Sequence, residues 1–157
     1  MDAKYLVEFL AEKNLHISSA ESLTGGLFSK TVTDIPGSSA VLNGGIVSYT
    51  NDVKKNVLGV TDEIIEKYTE VSAECATQMA EGAARLFGSE IAVSFTGYAG
   101  PGGGTEKNPV GTAYIGVFYK GKTKVFANIY TGDRNSVREQ CVKKAIDEIV
   151  NIVKQNS

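Results

Sequence analysis

Three times along this 157-residue chain a short apolar run gives way abruptly to a polar segment: ESLTGG (21–26), SYTNDVK (48–54) and TGYAGPGGGTEKNP (96–109). Apolar runs this short, set between helical patterns, read as strands of a sheet covered on both faces. In sheets of that kind, ligand sites gather just beyond strand ends. The three segments are therefore expected to converge.

The flanking patterns supply the other elements. Leu6, Phe9 and Leu10 fall at helical spacing, with Asp2 as a cap, so the chain opens with a short helix. HISSAES reads as a strand ending at Ser22, and GGLFSKTVTDI starts a second helix at the glycines. A further strand is expected from Gly45 to Tyr49, and TNDVKKNVLGV begins helically. The helix SAECATQMAEGAARLFG has Ser72 as its cap and Gly88 as its stop; Ala76, Met79, Ala80, Ala83, Leu86 and Phe87 form its apolar face. Small residues on that face suggest close approach to a sheet or a second helix. EIAVSFTG is a buried strand, and VGTAYIGVFYKGKTKVFANIYTG is a hairpin turning at Lys120-Gly121. The longest helix runs from about Asp133 to Gln155, with Val137, Cys141, Ala145, Ile149 and Ile152 as its stripe. The order is α-β-α-β-α-α-β-β-β-α, which predicts a mixed sheet covered on both faces.

The totals limit what such a chain does. Its length favours one domain over residues 1–157. A net charge of −2 with mixed signs gives no nucleic-acid surface. The N-terminus carries acids and lacks a long apolar run, which excludes a signal peptide or membrane span there and makes a cytoplasmic protein the expectation. Cys75 and Cys141 form no zinc-binding spacing and read as buried apolar thiols. No metal is expected.

Ser22 ends a predicted strand and precedes a helix, a place where backbone amides from Leu23 to Gly26 can hold an oxyanion. The segment fits equally a Ser22 or Thr24 that merely caps the helix. A nucleophilic serine needs a base. His16, the only histidine, lies on the same strand region and reads as structural, and no SxxK occurs. A lysine with a lowered pKa can act instead. SYTNDVK offers Tyr49 at a strand end and Lys54 five residues later, beside a solvated Lys55. The segment 96–109 holds five glycines between prolines and polar residues, as either a structural loop or an anion nest. It is neither a Walker loop nor a dinucleotide fingerprint. Arg134 and Arg138 lie one turn apart at the start of the last helix, either as a solvated ion-pair face or as a phosphate site.

Taken together, AESLTGGLF, GGIVSYTNDVK, TGYAGPGGGTEKNPVGTAYIG and GDRNSVR resemble the CinA C-terminal domain family, the stand-alone nicotinamide mononucleotide deamidases among them. The likeness runs in order over nearly the whole chain. It implies a three-layer α/β/α sandwich with a mixed, mainly parallel sheet and a C-terminal β-hairpin plus long helix. It implies hydrolysis of the nicotinamide mononucleotide carboxamide without a cofactor. The family's larger members carry an extra N-terminal domain, which is not expected in a chain that begins at Met1 just before the motif region.

By the same resemblance, Ser22, Tyr49 and Lys54 match the catalytic positions: Ser22 as nucleophile, Lys54 as base, Tyr49 as orienting or relaying group. Thr24, Gly25 and Gly26 would stabilise the oxyanion. Gly102, Gly103, Gly104 and Thr105 would lie beside the ligand, and Arg134 or Arg138 would hold its phosphate. Glu21 reads as structural, because adjacent strand residues point to opposite faces. Tyr98 replaces an expected smaller aliphatic residue and would narrow the pocket or stack on a base. The family likeness and the alanine-rich face from Ala76 to Ala84 both suit a homo-oligomer. A non-catalytic mononucleotide-binding module is the alternative.

Overall fold

A computed structural model describes residues 1–156. Its elements are α1 (Ala3–Glu12), β1 (Ile17–Glu21), α2 (Leu27–Thr33), β2 (Leu42–Val47), α3 (Asn51–Asn56), α4 (Asp62–Tyr68), α5 (Ala73–Phe87), β3 (Ile91–Gly97), β4 (Thr112–Tyr119), β5 (Lys122–Ile129) and α6 (Arg134–Gln155). The sheet order is β2-β1-β3-β4-β5. β1 pairs in parallel with β2 and β3, whereas β4 is antiparallel to β3 and β5. Four of the five strands thus run one way, and β4 alone opposes them.

Two cores follow from strand alternation. Ile17 of β1, with Ile91, Val93 and Phe95 of β3 and Ile115 and Val117 of β4, packs against α1, α2 and α6. Ala20 and Ala92 face the other way, towards Cys75, Met79 and Ala83 of α5. The small residues of α5 allow the close approach expected of them. A Cβ on Gly116 of β4 would meet the carbonyl oxygen of Ala76 at 2.9 Å. That alanine-rich face is buried against the chain's own sheet, so it presents nothing to a second copy. Leu86, expected on the same face, is instead 49% exposed.

Caps and turns otherwise match their residues. Asp2, Ser72 and Asp133 each accept an amide hydrogen bond at the starts of α1, α5 and α6, a contribution of about 1 kcal/mol each. Lys120 and Gly121 both take positive φ, the two-residue hairpin turn.

Two elements differ from expectation. Helix α4 is additional: Thr61 caps it, but none of its residues is fully buried, so it carries no apolar stripe to read. Strand β2 begins earlier and ends at Val47, leaving Tyr49 two residues beyond it. The glycines belong inside this strand because its neighbours crowd it. A Cβ on Gly44 would reach the Phe87 ring at 2.5 Å, and one on Gly45 would reach Ser19 Oγ at 2.5 Å.

Register brings the polar segments together. Glu21 lies beside Val47 and Phe95, so β1, β2 and β3 end at one edge of the sheet. Thr112 pairs with Ile129, which delivers the start of α6 to the same edge.

Candidate active site

The amide of Ser22 still donates to Phe95 O at 3.0 Å, holding the residue in line with β1. Alternation then turns Ser22 away from α2 and towards α3. Thr50 caps α3, and Lys54 in its last turn points inward, only 2% exposed. Its Nζ donates to Ser22 Oγ at 3.1 Å. Among the described residues no carboxylate forms an ion pair with Lys54. Burial lowers its pKa from the ordinary 10.5, opposed in part by Cys75 and Glu70. Desolvation of this kind favours the neutral amine, which is the form that takes a proton. The adjacent Lys55 behaves oppositely: it pairs with Asp62 at 2.8 Å, and this partner raises its pKa.

One residue back, Glu21 faces α2. Its carboxylate accepts from the amides of Phe28 (2.8 Å) and Ser29 (3.0 Å), and from the hydroxyls of Ser29 (2.9 Å) and Ser19 (3.2 Å). These bonds satisfy free amides at the start of α2, where the positive end of the helix dipole favours a carboxylate. Phe28 anchors the helix on the sheet, its ring 5.6 Å from that of Phe95. Glu21 is structural, as its alternation requires.

The cleft at this edge encloses about 360 Å³. It is lined by Ser22, Leu23, Tyr49, Asn51, Lys54, Glu70, Val71, Thr96 to Gly100, Gly102 and Arg134. Thr24, Gly25 and Gly26 do not line it. The Gly25 amide donates to Ser22 O at 3.0 Å, so it is already committed. Leu23 lines the cleft, and its N–H makes no hydrogen bond among the described residues.

The two arginines separate cleanly. Arg134 lines the cleft, donating to Gly100 O at 2.9 Å and to Tyr49 Oη at 3.1 Å. Arg138 lies outside it and donates to Thr24 O at 2.8 Å, clamping the turn between β1 and α2. Gly25, at φ +57°, leaves room for that guanidinium: a Cβ there would stand 3.1 Å from it. Tyr49 is 58% exposed and bonds Arg134, not Ser22 or Lys54. It belongs to the mouth of the cleft.

The glycine-rich loop divides in the same way. Gly97, Gly100 and Gly102 line the cleft, but Gly103, Gly104 and Thr105 do not. Gly103, at φ +81°, passes so close to Tyr98 that a Cβ would stand 2.9 Å from the ring. Thr105 closes the loop on Asn108 through two hydrogen bonds, 2.8 and 2.9 Å. Asn108 then donates from Nδ2 to Val71 O at 3.1 Å and accepts from Tyr114 Oη at 2.8 Å. Glu70 and Asn51 are cleft residues that sequence reasoning missed. Glu70 lies between two helices in no recognisable motif, and only the fold brings it to Lys54.

Burial holds the two free thiols protonated, pushing Cys75 up to about 11 and Cys141 up to about 12. His16 pairs with Glu90 at 3.0 Å and does not line the cleft. Among the described residues, no cluster of three His, Cys, Asp or Glu is placed to hold a metal, and no helix is long and apolar enough to cross a membrane.

Residues 2–153 match the family model described as the CinA C-terminal domain. The chain is 45% identical over 142 residues to a CinA-like protein of Dictyoglomus thermophilum, covering 90% of this chain and 34% of that protein. It is 41% identical over 144 residues to a CinA-like protein of Thermotoga maritima, covering 92% and 35%. The chain thus spans about a third of the length of these curated relatives. Among solved structures, the competence/damage inducible protein CihA from Agrobacterium tumefaciens superposes with a TM-score of 0.90 at 36% identity, covering 96% of this chain and 95% of that one. The competence damage-inducible protein A (ComA) from Klebsiella pneumoniae superposes with a TM-score of 0.93 at 27% identity, covering 98% of each.

Proposed function

The chain belongs to the CinA C-terminal domain family, and from that premise we propose that it hydrolyses the carboxamide of nicotinamide mononucleotide to nicotinate mononucleotide and ammonia. The observation that carries this reading is the 3.1 Å contact between Lys54 Nζ and Ser22 Oγ, made by a buried lysine with no carboxylate partner among the described residues. A serine hydroxyl becomes a nucleophile when a neutral base within hydrogen-bond reach accepts its proton.

In this mechanism Ser22 Oγ attacks the carboxamide carbon as its proton passes to neutral Lys54. The carbonyl oxygen becomes an oxyanion, received by the Leu23 amide; one such donor lowers the barrier by about 3 kcal/mol. Protonated Lys54 returns the proton to the amide nitrogen. The C–N bond breaks and ammonia leaves, with the acyl group esterified to Ser22. Water then attacks the ester, its proton again taken by Lys54. Collapse of the second oxyanion returns the serine oxygen with that proton and frees the nicotinate. Arg134, tied to Tyr49 at the mouth, would hold the phosphate. Thr24, Gly25, Gly26 and Arg138 support the turn, and Gly103, Gly104 and Thr105 shape the loop.

Ammonia release should be assayed with nicotinamide mononucleotide, nicotinamide riboside, nicotinamide and glutamine. The reading expects turnover with the mononucleotide and much less with the other three. Binding of the mononucleotide without ammonia from any of them would favour a non-catalytic module instead.

A further inference from the structure

The cleft holds a cation and an anion that ignore each other. The Arg134 guanidinium donates to two uncharged oxygens, Gly100 O and Tyr49 Oη. Glu70, the one carboxylate lining the cleft, makes no side-chain hydrogen bond or ion pair among the described residues. Yet its backbone is fixed. Thr96 Oγ1 donates to Glu70 O at 2.6 Å, and Asn108 Nδ2 donates to the next carbonyl, Val71 O, at 3.1 Å. The carboxylate of this partly exposed residue is therefore carried on a pinned segment without a partner among the described residues. Such a group is stabilised by whatever cation enters.

Tyr98 also lines the cleft. Gly103 gives its ring the room it needs. An aromatic face next to a carboxylate attracts a flat cation through both charge and quadrupole. The pKa of Tyr98 is raised first by desolvation and then by Glu70, which puts the carboxylate within electrostatic reach of the ring. Lys54 Nζ is engaged with Ser22 Oγ and forms no ion pair with Glu70 among the described residues.

We propose that Glu70 and Tyr98 form a subsite for the positive charge of a zwitterionic ligand whose anionic end lies at Arg134. Resting on the amidase reading, the cation is the pyridinium ring next to the scissile carboxamide. Glu70 is then the residue that selects the oxidised, cationic nucleotide over its reduced, neutral dihydropyridine form, which carries the same phosphate and the same carboxamide.

The test is equilibrium binding, which needs no turnover. Calorimetry on Ser22→Ala would compare nicotinamide mononucleotide with its reduced form. A preference of about tenfold for the oxidised nucleotide is expected, the size of one partly screened charge contact. Adding Glu70→Gln should bring the two affinities within about twofold, chiefly by weakening the oxidised ligand. The reduced ligand thereby reports that the variant is folded, and Glu70→Asp should keep part of the preference. Equal affinities before Glu70 is changed, an equal loss for both ligands in Glu70→Gln, or no binding of either would each overturn the proposal. A preference that persists in a protein releasing no ammonia would sink the amidase reading and leave this subsite standing.

Discussion

Glu21 and Ser22 are neighbours in sequence and opposites in environment. The carboxylate of Glu21 is buried under α2 and accepts four hydrogen bonds. On the other side of the strand, buried Lys54 has a single side-chain partner, Ser22, and Glu70 has none among the described residues. Both sides bury polar groups, which is costly unless hydrogen bonds compensate. Where compensation is complete, the group fixes the fold. Where it is incomplete, polar capacity remains for a ligand or a proton. The difference between the two sides separates structure from chemistry more sharply than burial alone.

The largest effect expected on the underpaired side is Lys54→Met, with turnover falling about a thousandfold or more through loss of the base. Its stability should move the other way. A lysine whose folded pKa lies below its unfolded value binds its proton more readily when unfolded. It therefore costs stability at neutral pH, and stability rises with pH between the two values. Lys54→Met should then melt above wild type at pH 7 in a thermal scan. A lower melting temperature would mean that the lysine is compensated after all, and the contrast with Glu21 would fail.

On the satisfied side, Glu21→Ala strands the amides of Phe28 and Ser29, while the Ser19 and Ser29 hydroxyls, 2.9 Å apart, can still bond each other. A loss of about 3 kcal/mol is expected from chemical denaturation. An unchanged midpoint would show that Glu21 has no such role.

A smaller effect sharpens the comparison within the cleft. Activity carried by neutral Lys54 rises with pH along a limb centred below 10.5. Glu70 raises this pKa, so Glu70→Gln should move the limb of the rate profile to lower pH. A shift upward would contradict the arrangement. The smallest effect is expected from Lys55→Met, which removes only an ion pair with exposed Asp62 and should leave turnover within about twofold of wild type.

Much of this was legible in the residues. Period and capping identified five of the six helices and all five strands, because Ser72, Asp133 and the α6 stripe act locally. Helix α4 escaped because its Ile64 and Ile65 are only half-buried, and β2 was misplaced because its glycines answer to Phe87, Ser19 and Ser29, distant in sequence. The Ser22–Lys54 contact was reached through family likeness; its physical cause is the parallel register that aligns Glu21 with Val47. Glu70 could not be found that way. Its position depends on Thr96 and Asn108 holding a loop that has no motif of its own. Likewise, both arginines look equivalent on a helix, and only the ends of β1 and β3 decide that Arg134 meets the cleft while Arg138 holds the turn.

The most direct test compares ammonia release from nicotinamide mononucleotide by wild-type protein and Ser22→Ala, with binding of the nucleotide measured on both. The account predicts that release falls by at least about a thousandfold while affinity changes less than about threefold. Release by Ser22→Ala within a few fold of wild type would contradict it.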